Sequence, residues 1–264
     1  MSGRVAEKTA LVFGAGSSGE GLSNGRAIAV LLGREGANVM ASDISQEAAD
    51  LTAEQIGREG GSVLAHRADV CDSSSVSDAV AQCIQCFGGI DILVNNVGIS
   101  QLGDLVETTE GDWDRIMAVN LKGPFLTCRA VLPHMLKRRS GAIVNISTVA
   151  SIRAPRASLA SYNASKAGVN QLTRTIALRY AREGIRANAV LPGLIDTPMV
   201  RNQLLEHYGT VEHLIEKRNA ESPTGRMGQP WDVAFATLYL ASDESAFVNG
   251  ILLPVDGGSS AMMP

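Results

Sequence analysis

Short β-branched runs alternate with longer stretches of helical periodicity from one end of the chain to the other. The short runs read as strands at Thr9 to Phe13, Asn38 to Asp43, Ser62 to Asp69, Asp91 to Asn95, Ala142 to Ser147, Arg186 to Leu191 and Ile251 to Val255. Helical patterns lie between them at Gly25 to Glu35, Gln46 to Arg58, Ser73 to Phe87, Asp112 to Arg138, Ser161 to Glu183 and Trp231 to Ser242. This alternation predicts an α/β fold, a doubly wound (Rossmann-type) parallel sheet of seven strands with helices on both faces. Pro133 falls inside the fourth helical pattern, where its missing N–H and its ring predict a bend or an end. No Pro-, Gly- or Ser-rich linker, charge block or internal repeat divides residues 1–264, so a single domain is expected. Thr197 to Met227 breaks the alternation. There Met199, Val200, Leu204, Leu205, Tyr208, Leu214 and Ile215 are set among charges, which predicts an amphipathic flap and not a sheet element.

Composition narrows the function classes. With 264 residues, 45% hydrophobic and 19% charged, the chain can bury a sizeable core, which excludes a disordered or fibrous protein. Lys and Arg number 23 against 27 Asp and Glu, a net charge of −4, so there is no electrostatic footprint for nucleic acid. Apolar runs such as Ile90 to Val97 fall well short of the roughly 20 residues of a membrane span, so no membrane association is expected. Arg4, Glu7 and Lys8 leave no room for a signal peptide before the first strand, and a cytoplasmic location is the expectation. Cys71, Cys83, Cys86 and Cys128 read as reduced core thiols; Cys83 and Cys86 form a C-x-x-C but sit on a helical pattern with no second ligand pair. His66, His134, His207 and His213 lack metal spacing, so no metal is expected. Asp112 and Asp114 stand at a helix start, where negative charge complements the dipole.

The chemistry begins after the first strand. Gly14-Ala-Gly-Ser-Ser-Gly-Glu-Gly-Leu-Ser-Asn-Gly25 is followed by a helix opening at Arg26. A strand, a glycine-rich turn and a helix start build an anion site from backbone N–H groups and the helix N-terminus. No Gly-Lys-Ser or Gly-Lys-Thr closes the turn, which argues against triphosphate chemistry of the Walker type. Asp43 ends the second strand. Alone it could be a turn-initiating aspartate, but behind this loop it suits the hydroxyls of an adenosine ribose and repels a 2′-phosphate, which favours NAD over NADP. Asp69-Val70 and Asn95-Asn96-Val97-Gly98 bring further residues to the carboxyl ends of strands.

Tyr162 and Lys166 are four apart on one helical face. Such a pair can be a mere solvated couple. If it shares a site, however, an adjacent ammonium favours phenolate and makes proton transfer to or from an alcohol oxygen feasible near neutrality. Asn145-Ile-Ser-Thr148 supplies hydroxyls at a strand end immediately upstream. Arg153 and Arg156, in the loop between, could clamp an anion or be solvated, the second being the default for surface arginine.

With these pieces the sequence resembles the short-chain dehydrogenase/reductase family over nearly its whole length. The resemblance is carried by Gly25-Arg26-Ala27, Asp69-Val70, Asn95-Asn96-Val97-Gly98, Asn120-Leu-Lys-Gly123, Asn145-Ile-Ser-Thr148, Tyr162-x-x-x-Lys166, Pro192-Gly193-x-x-x-Thr197 and Val255-Asp-Gly-Gly258. It implies Tyr162 as general acid/base and Lys166 as the group that lowers its pKa and binds the nicotinamide ribose. It also implies Asn120 as holder of a water leading to solvent, and Thr148 as the catalytic hydroxyl with Ser147 as alternative. Gly14, Ser23, Gly25, Asp43, Asp69, Val70, Asn96, Gly98, Tyr162, Lys166, Pro192, Gly193, Ile195 and Thr197 would line the dinucleotide, 197–227 would cover the substrate, and the assembly would be a homotetramer. The chain departs from the family pattern in several places. Phe13 replaces a threonine, the glycine turn is about five residues longer, Thr148 stands 14 residues before Tyr162 where 13 is usual, Val97 replaces an alanine, and Trp231 an acid. The implied function is an NAD-dependent oxidoreductase acting on a secondary alcohol or ketone. The alternatives are an enoyl-thioester reductase, whose tyrosine and lysine are more widely spaced, and a non-catalytic NAD-sensing binding protein.

Overall fold

The sidedness of the strands organises the molecule. A computed structural model describes residues 3–19, 21–154, 159–202 and 209–262. Its strands are β1 (Thr9–Phe13), β2 (Asn38–Asp43), β3 (Val63–Arg67), β4 (Ile92–Asn95), β5 (Gly141–Ile146), β6 (Ile185–Pro192) and β7 (Leu252–Val255). Successive strand residues point to opposite faces. Ala10, Val12, Val39, Ala41, Ile92, Val94 and Val144 therefore join one core cluster, while Leu11, Phe13, Met40, Leu93 and Ile143 join the other. The first cluster is covered by α1 (Asn24–Arg34), α2 (Gln46–Arg58) and α8 (Pro230–Ala241). The second is covered by α3 (Ser73–Phe87), α5 (Gly123–Arg138) and α6 (Ala160–Tyr180). Arg34 of α1 stacks over Trp231 of α8 with its guanidinium carbon 4.8 Å from the ring centroid, so the tryptophan serves helix packing.

All neighbouring strands are parallel, in the order β3-β2-β1-β4-β5-β6-β7. The winding reverses between β1 and β4, and the crevice outside their carboxyl ends is where open sheets of this kind hold ligands. The doubly wound seven-stranded sheet read from the sequence is thus the observed one. Local caps fix the helices that lead away from it. Ser45 caps α2 by accepting from the Ala48 N–H at 3.2 Å, and Asp72 caps α3 by accepting from Ser74 at 2.8 Å. Thr109 caps α4 (Glu110–Met117), with Glu110 and Asp112 in the positive first turn.

The long fourth helix departs from expectation. It is interrupted by a π-helical turn, Ala118–Lys122, between α4 and α5, and it runs through Pro133 without ending. The carbonyl that Pro133 leaves without a donor belongs to Arg129, an exposed residue whose backbone can be hydrated. The π turn carries Asn120. Within 197–227 the described residues are helical at 198–202 and in α7 (Val211–Glu221), whose Leu214 is fully buried. The segment leaves and rejoins the fold at one point, where Asp196 N–H donates to Gly228 O and Gly228 N–H to Leu194 O, both at 2.9 Å. Leu204, Leu205, His207 and Tyr208 lie outside the described residues. Among the described residues no helix is long and apolar enough to cross a membrane.

Candidate active site

At the β1 end of the crevice, chain segments approach at backbone contact. A Cβ on Gly25 would lie 1.8 Å from the Gly14 carbonyl oxygen and 2.5 Å from Asn96 Nδ2, so only glycine lets α1 start so close to β1 and β4. That oxygen accepts from Asn96 Nδ2 at 2.8 Å. Ser23 caps α1, accepting from the Arg26 N–H at 3.1 Å and donating to Gly16 O at 2.6 Å. Gly14, Ser23, Gly25 and Asn96 are therefore brought together around the helix N-terminus, a place for a phosphate. Asp43 ends β2 beside them; Oδ2 accepts from the Gly16 N–H at 2.9 Å and Oδ1 from the Ser45 N–H at 3.1 Å. After β3, Asp69 Oδ1 turns back onto the Cys71 N–H at 2.8 Å, and buried Val70 packs where Gly123 lacks a side chain.

At the β5 end stand the titratable groups. Tyr162 and Lys166 lie one turn apart in α6. The Thr148 side chain lies near enough to the Tyr162 hydroxyl to act on its pKa, and Thr148 Oγ1 accepts from the Ala150 N–H at 3.2 Å and reaches Pro192 O at 3.5 Å. Ser147 faces elsewhere: its Oγ donates to Lys166 O at 3.2 Å and to Ser151 Oγ at 3.3 Å. Of the two hydroxyls read from the sequence, it is Thr148 that meets the phenol.

Lys166 is 3% exposed, its Nζ donating to Ile146 O at 2.9 Å and to Val97 O at 3.4 Å. Gly98 lies over it; a Cβ there would come within 3.0 Å of Nζ. Burial lowers the ammonium pKa from 10.5 to about 8. Burial raises the Tyr162 pKa, and the Thr148 side chain opposes that rise. The ammonium is engaged by strand-end carbonyls, and desolvation dominates the phenol.

Asn120 is completely buried and clamps the loop after β4. Its Oδ1 accepts from the Ile99 N–H at 2.9 Å, and its Nδ2 donates to Ile99 O at 2.8 Å and to Ser165 Oγ at 3.1 Å. Ser165 was not among the expected residues, although its place three residues after Tyr162 on the same helix was a signal that could have found it. Asn95 and Asn145 pair across β4 and β5 at 2.8 Å and are completed by Thr127 and Thr173, a buried network that braces the strand ends. At the end of β6, Gly193 N–H donates to Val255 O at 3.0 Å, and Ile195 and Thr197 are buried beside it.

Arg153 is exposed, as a loop arginine is by default, and it is also anchored. Its Nη1 donates to the Ser260 carbonyl and, at 2.6 Å, to the Met262 carbonyl, tying the chain's last described turn to the loop after Thr148. Arg156 lies outside the described residues. Cys83 is buried with its thiol pKa pushed up to about 12 by desolvation, while Cys86 is exposed. Among the described residues no group of three metal-ligating side chains forms.

The donor set suits a dinucleotide: a helix N-terminus at its middle, a carboxylate at the β2 end, and a phenol, a hydroxyl and an amine at the β5 end. Comparison with known proteins decides the family. A family model described as Enoyl-(Acyl carrier protein) reductase matches residues 21–260. The crystal structure of a Burkholderia xenovorans protein assigned to the short-chain dehydrogenases/reductases superposes with a TM-score of 0.93 at 44% identity, covering 99% of this chain and 100% of that one. The chain belongs to the short-chain dehydrogenase/reductase family.

Among its relatives, the 2-(R)-hydroxypropyl-CoM dehydrogenase of Xanthobacter autotrophicus is 42% identical over 97% of this chain and 99% of its own length. The 3-oxoacyl-[acyl-carrier-protein] reductase of Thermotoga maritima is 40% identical over 97% and 98%. Like other short-chain dehydrogenases/reductases, the chain is a hydride-transfer oxidoreductase of the kind that uses a nicotinamide cofactor.

Proposed function

We propose that this short-chain dehydrogenase/reductase interconverts a secondary alcohol and a ketone with NAD(H). The observation that carries the reading is the nearness of the Thr148 side chain to the Tyr162 hydroxyl, one helical turn from the buried Lys166. Two hydroxyls that meet at the crevice can both reach one substrate oxygen, which is what a carbonyl being reduced requires. Bound NAD(H) would supply the hydride acceptor or donor. Thr148 Oγ1 holds the substrate oxygen and Tyr162 Oη passes it a proton or takes one. Lys166 binds the nicotinamide ribose, and Asn120 holds a water leading from it to solvent. Gly14, Ser23, Gly25 and Asn96 form the pyrophosphate end; Asp43 takes the adenosine ribose hydroxyls, which favours NAD over NADP. Asp69, Val70, Gly98, Pro192, Gly193, Ile195 and Thr197 complete the lining. In this reading residues 1–264 are one Rossmann-type domain, 197–227 covers the substrate, and the enzyme works as a homotetramer.

The family model's description favours a second reading, reduction of an enoyl thioester. One experiment separates the two. A panel of ketones, secondary alcohols and crotonyl thioesters is assayed by nicotinamide absorbance with NAD(H) and with NADP(H). Turnover of ketones or alcohols with NAD(H) supports the proposal; consumption of NADH by the crotonyl thioester alone overturns it.

A further inference from the structure

The first residues of the lengthened glycine loop are fastened from three directions. The Ala15 carbonyl accepts from Thr52 Oγ1 of α2 at 2.9 Å, the Gly16 N–H donates to Asp43 Oδ2 at 2.9 Å, and the Gly16 carbonyl accepts from Ser23 Oγ at 2.6 Å. Gly16 is buried in a slot without room for a side chain: a Cβ there would lie 2.5 Å from Ala48 Cβ of α2 and 2.8 Å from Asp43 Oδ2. Because the Ser45 N–H holds the other carboxylate oxygen at 3.1 Å, each oxygen of Asp43 has one fixed backbone donor and keeps a lone pair for a further hydroxyl. The carboxylate is thereby aimed, and main chain fills the gap between it and the first turn of α2.

From this we infer that Gly16 is a specificity-determining residue for the dinucleotide, an inference that rests on the NAD reading above. It orients Asp43 toward a vicinal ribose diol, and by closing the loop against Ala48 it sets main chain against the carboxylate, where a 2′-phosphate would need room. Discrimination then comes from packing as well as from charge. Removing the charge of Asp43 alone does not create a site for the phosphorylated dinucleotide, and adding a methyl at position 16 damages the NAD site although Asp43 is still present.

The test is direct binding. The purified wild type and the variants Asp43→Asn, Gly16→Ala and Gly16→Ala with Ala48→Gly are titrated with NADH and with NADPH by fluorescence, and circular dichroism reports their folding. The wild type should bind NADH more tightly than NADPH. Asp43→Asn should lose about tenfold in NADH affinity, the worth of a hydrogen bond to a charged group, and gain less than about fivefold for NADPH. Gly16→Ala should lose at least about fivefold for NADH, and adding Ala48→Gly should restore part of it by relieving the tighter clash. The inference is overturned if Asp43→Asn gains about fivefold or more for NADPH, or if folded Gly16→Ala loses less than about fivefold for NADH. If Gly16→Ala does not fold, the Asp43→Asn titration decides. A wild type that prefers NADPH instead overturns the NAD reading itself.

Discussion

Replacing Thr148 by alanine separates the two hydroxyls at the end of β5. In the structure Thr148 Oγ1 lies near the Tyr162 hydroxyl and is held only weakly by Pro192 O, at 3.5 Å, so it can turn to a substrate oxygen. Ser147 Oγ is engaged by Lys166 O and Ser151 Oγ on the other side of the strand end. A donor aimed at an oxygen that gains charge in the transition state contributes about 3–4 kcal/mol, so Thr148→Ala should lower kcat by about 10²- to 10³-fold. Thr148→Ser keeps the donor and should stay within about fivefold of wild type, the cost of a looser rotamer. Ser147→Ala removes a structural hydrogen bond worth about 1 kcal/mol of stability and should leave kcat nearly unchanged. Steady-state NADH oxidation with a ketone from the panel, with the unfolding midpoint as control, gives all three values. A Thr148→Ala enzyme of near wild-type kcat beside an inactive Ser147→Ala enzyme would refute the reasoning.

Gly25→Ala must push a methyl into the Gly14 carbonyl, 1.8 Å away, and should cost about 1–3 kcal/mol in urea unfolding together with most of the NADH affinity. Lys166, ordinarily titrating at 10.5 and lowered to about 8 in the fold, opposes folding most below pH 8, where the ammonium must be buried. Between these values the folded chain releases the proton and the unfolded chain keeps it, so stability relative to Lys166→Met should rise from pH 7.5 to 10 by roughly 2–3 kcal/mol. A flat difference would show that the amine keeps its ordinary pKa in the fold. Because burial raises the phenol pKa, ketone reduction should hold its rate through neutral pH while alcohol oxidation keeps rising to pH 9 and beyond, as read by initial rates in the two directions.

Much of the fold was legible because its signals are local. β1, β2, α2 and α3 end where hydrophobic pattern and capping residues such as Ser45 and Asp72 place them. The π turn at Ala118–Lys122 is made of residues that suit an α-helix equally well, and its signal is Pro124 just beyond it, which has no N–H to donate to the Asn120 carbonyl four residues back. Pro133 misled in the other direction: its penalty is real, but an exposed helix face relieves it. In the site, spacing links Tyr162 to Lys166 and the family resemblance adds Thr148 at its strand end, whereas the balance of their pKa values depends on burial, which spacing does not report. Arg153 meets Ser260 and Met262, more than a hundred residues away in sequence, and the Gly16 N–H meets Asp43 only because the lengthened loop folds back on α2.

The central claim is that the Tyr162 hydroxyl moves the proton. Tyr162→Phe deletes that oxygen and keeps the ring, so kcat should fall by about 10²- to 10⁴-fold while NADH affinity, measured by fluorescence on the same preparation, stays within about twofold. A Tyr162→Phe enzyme with wild-type turnover would contradict the account.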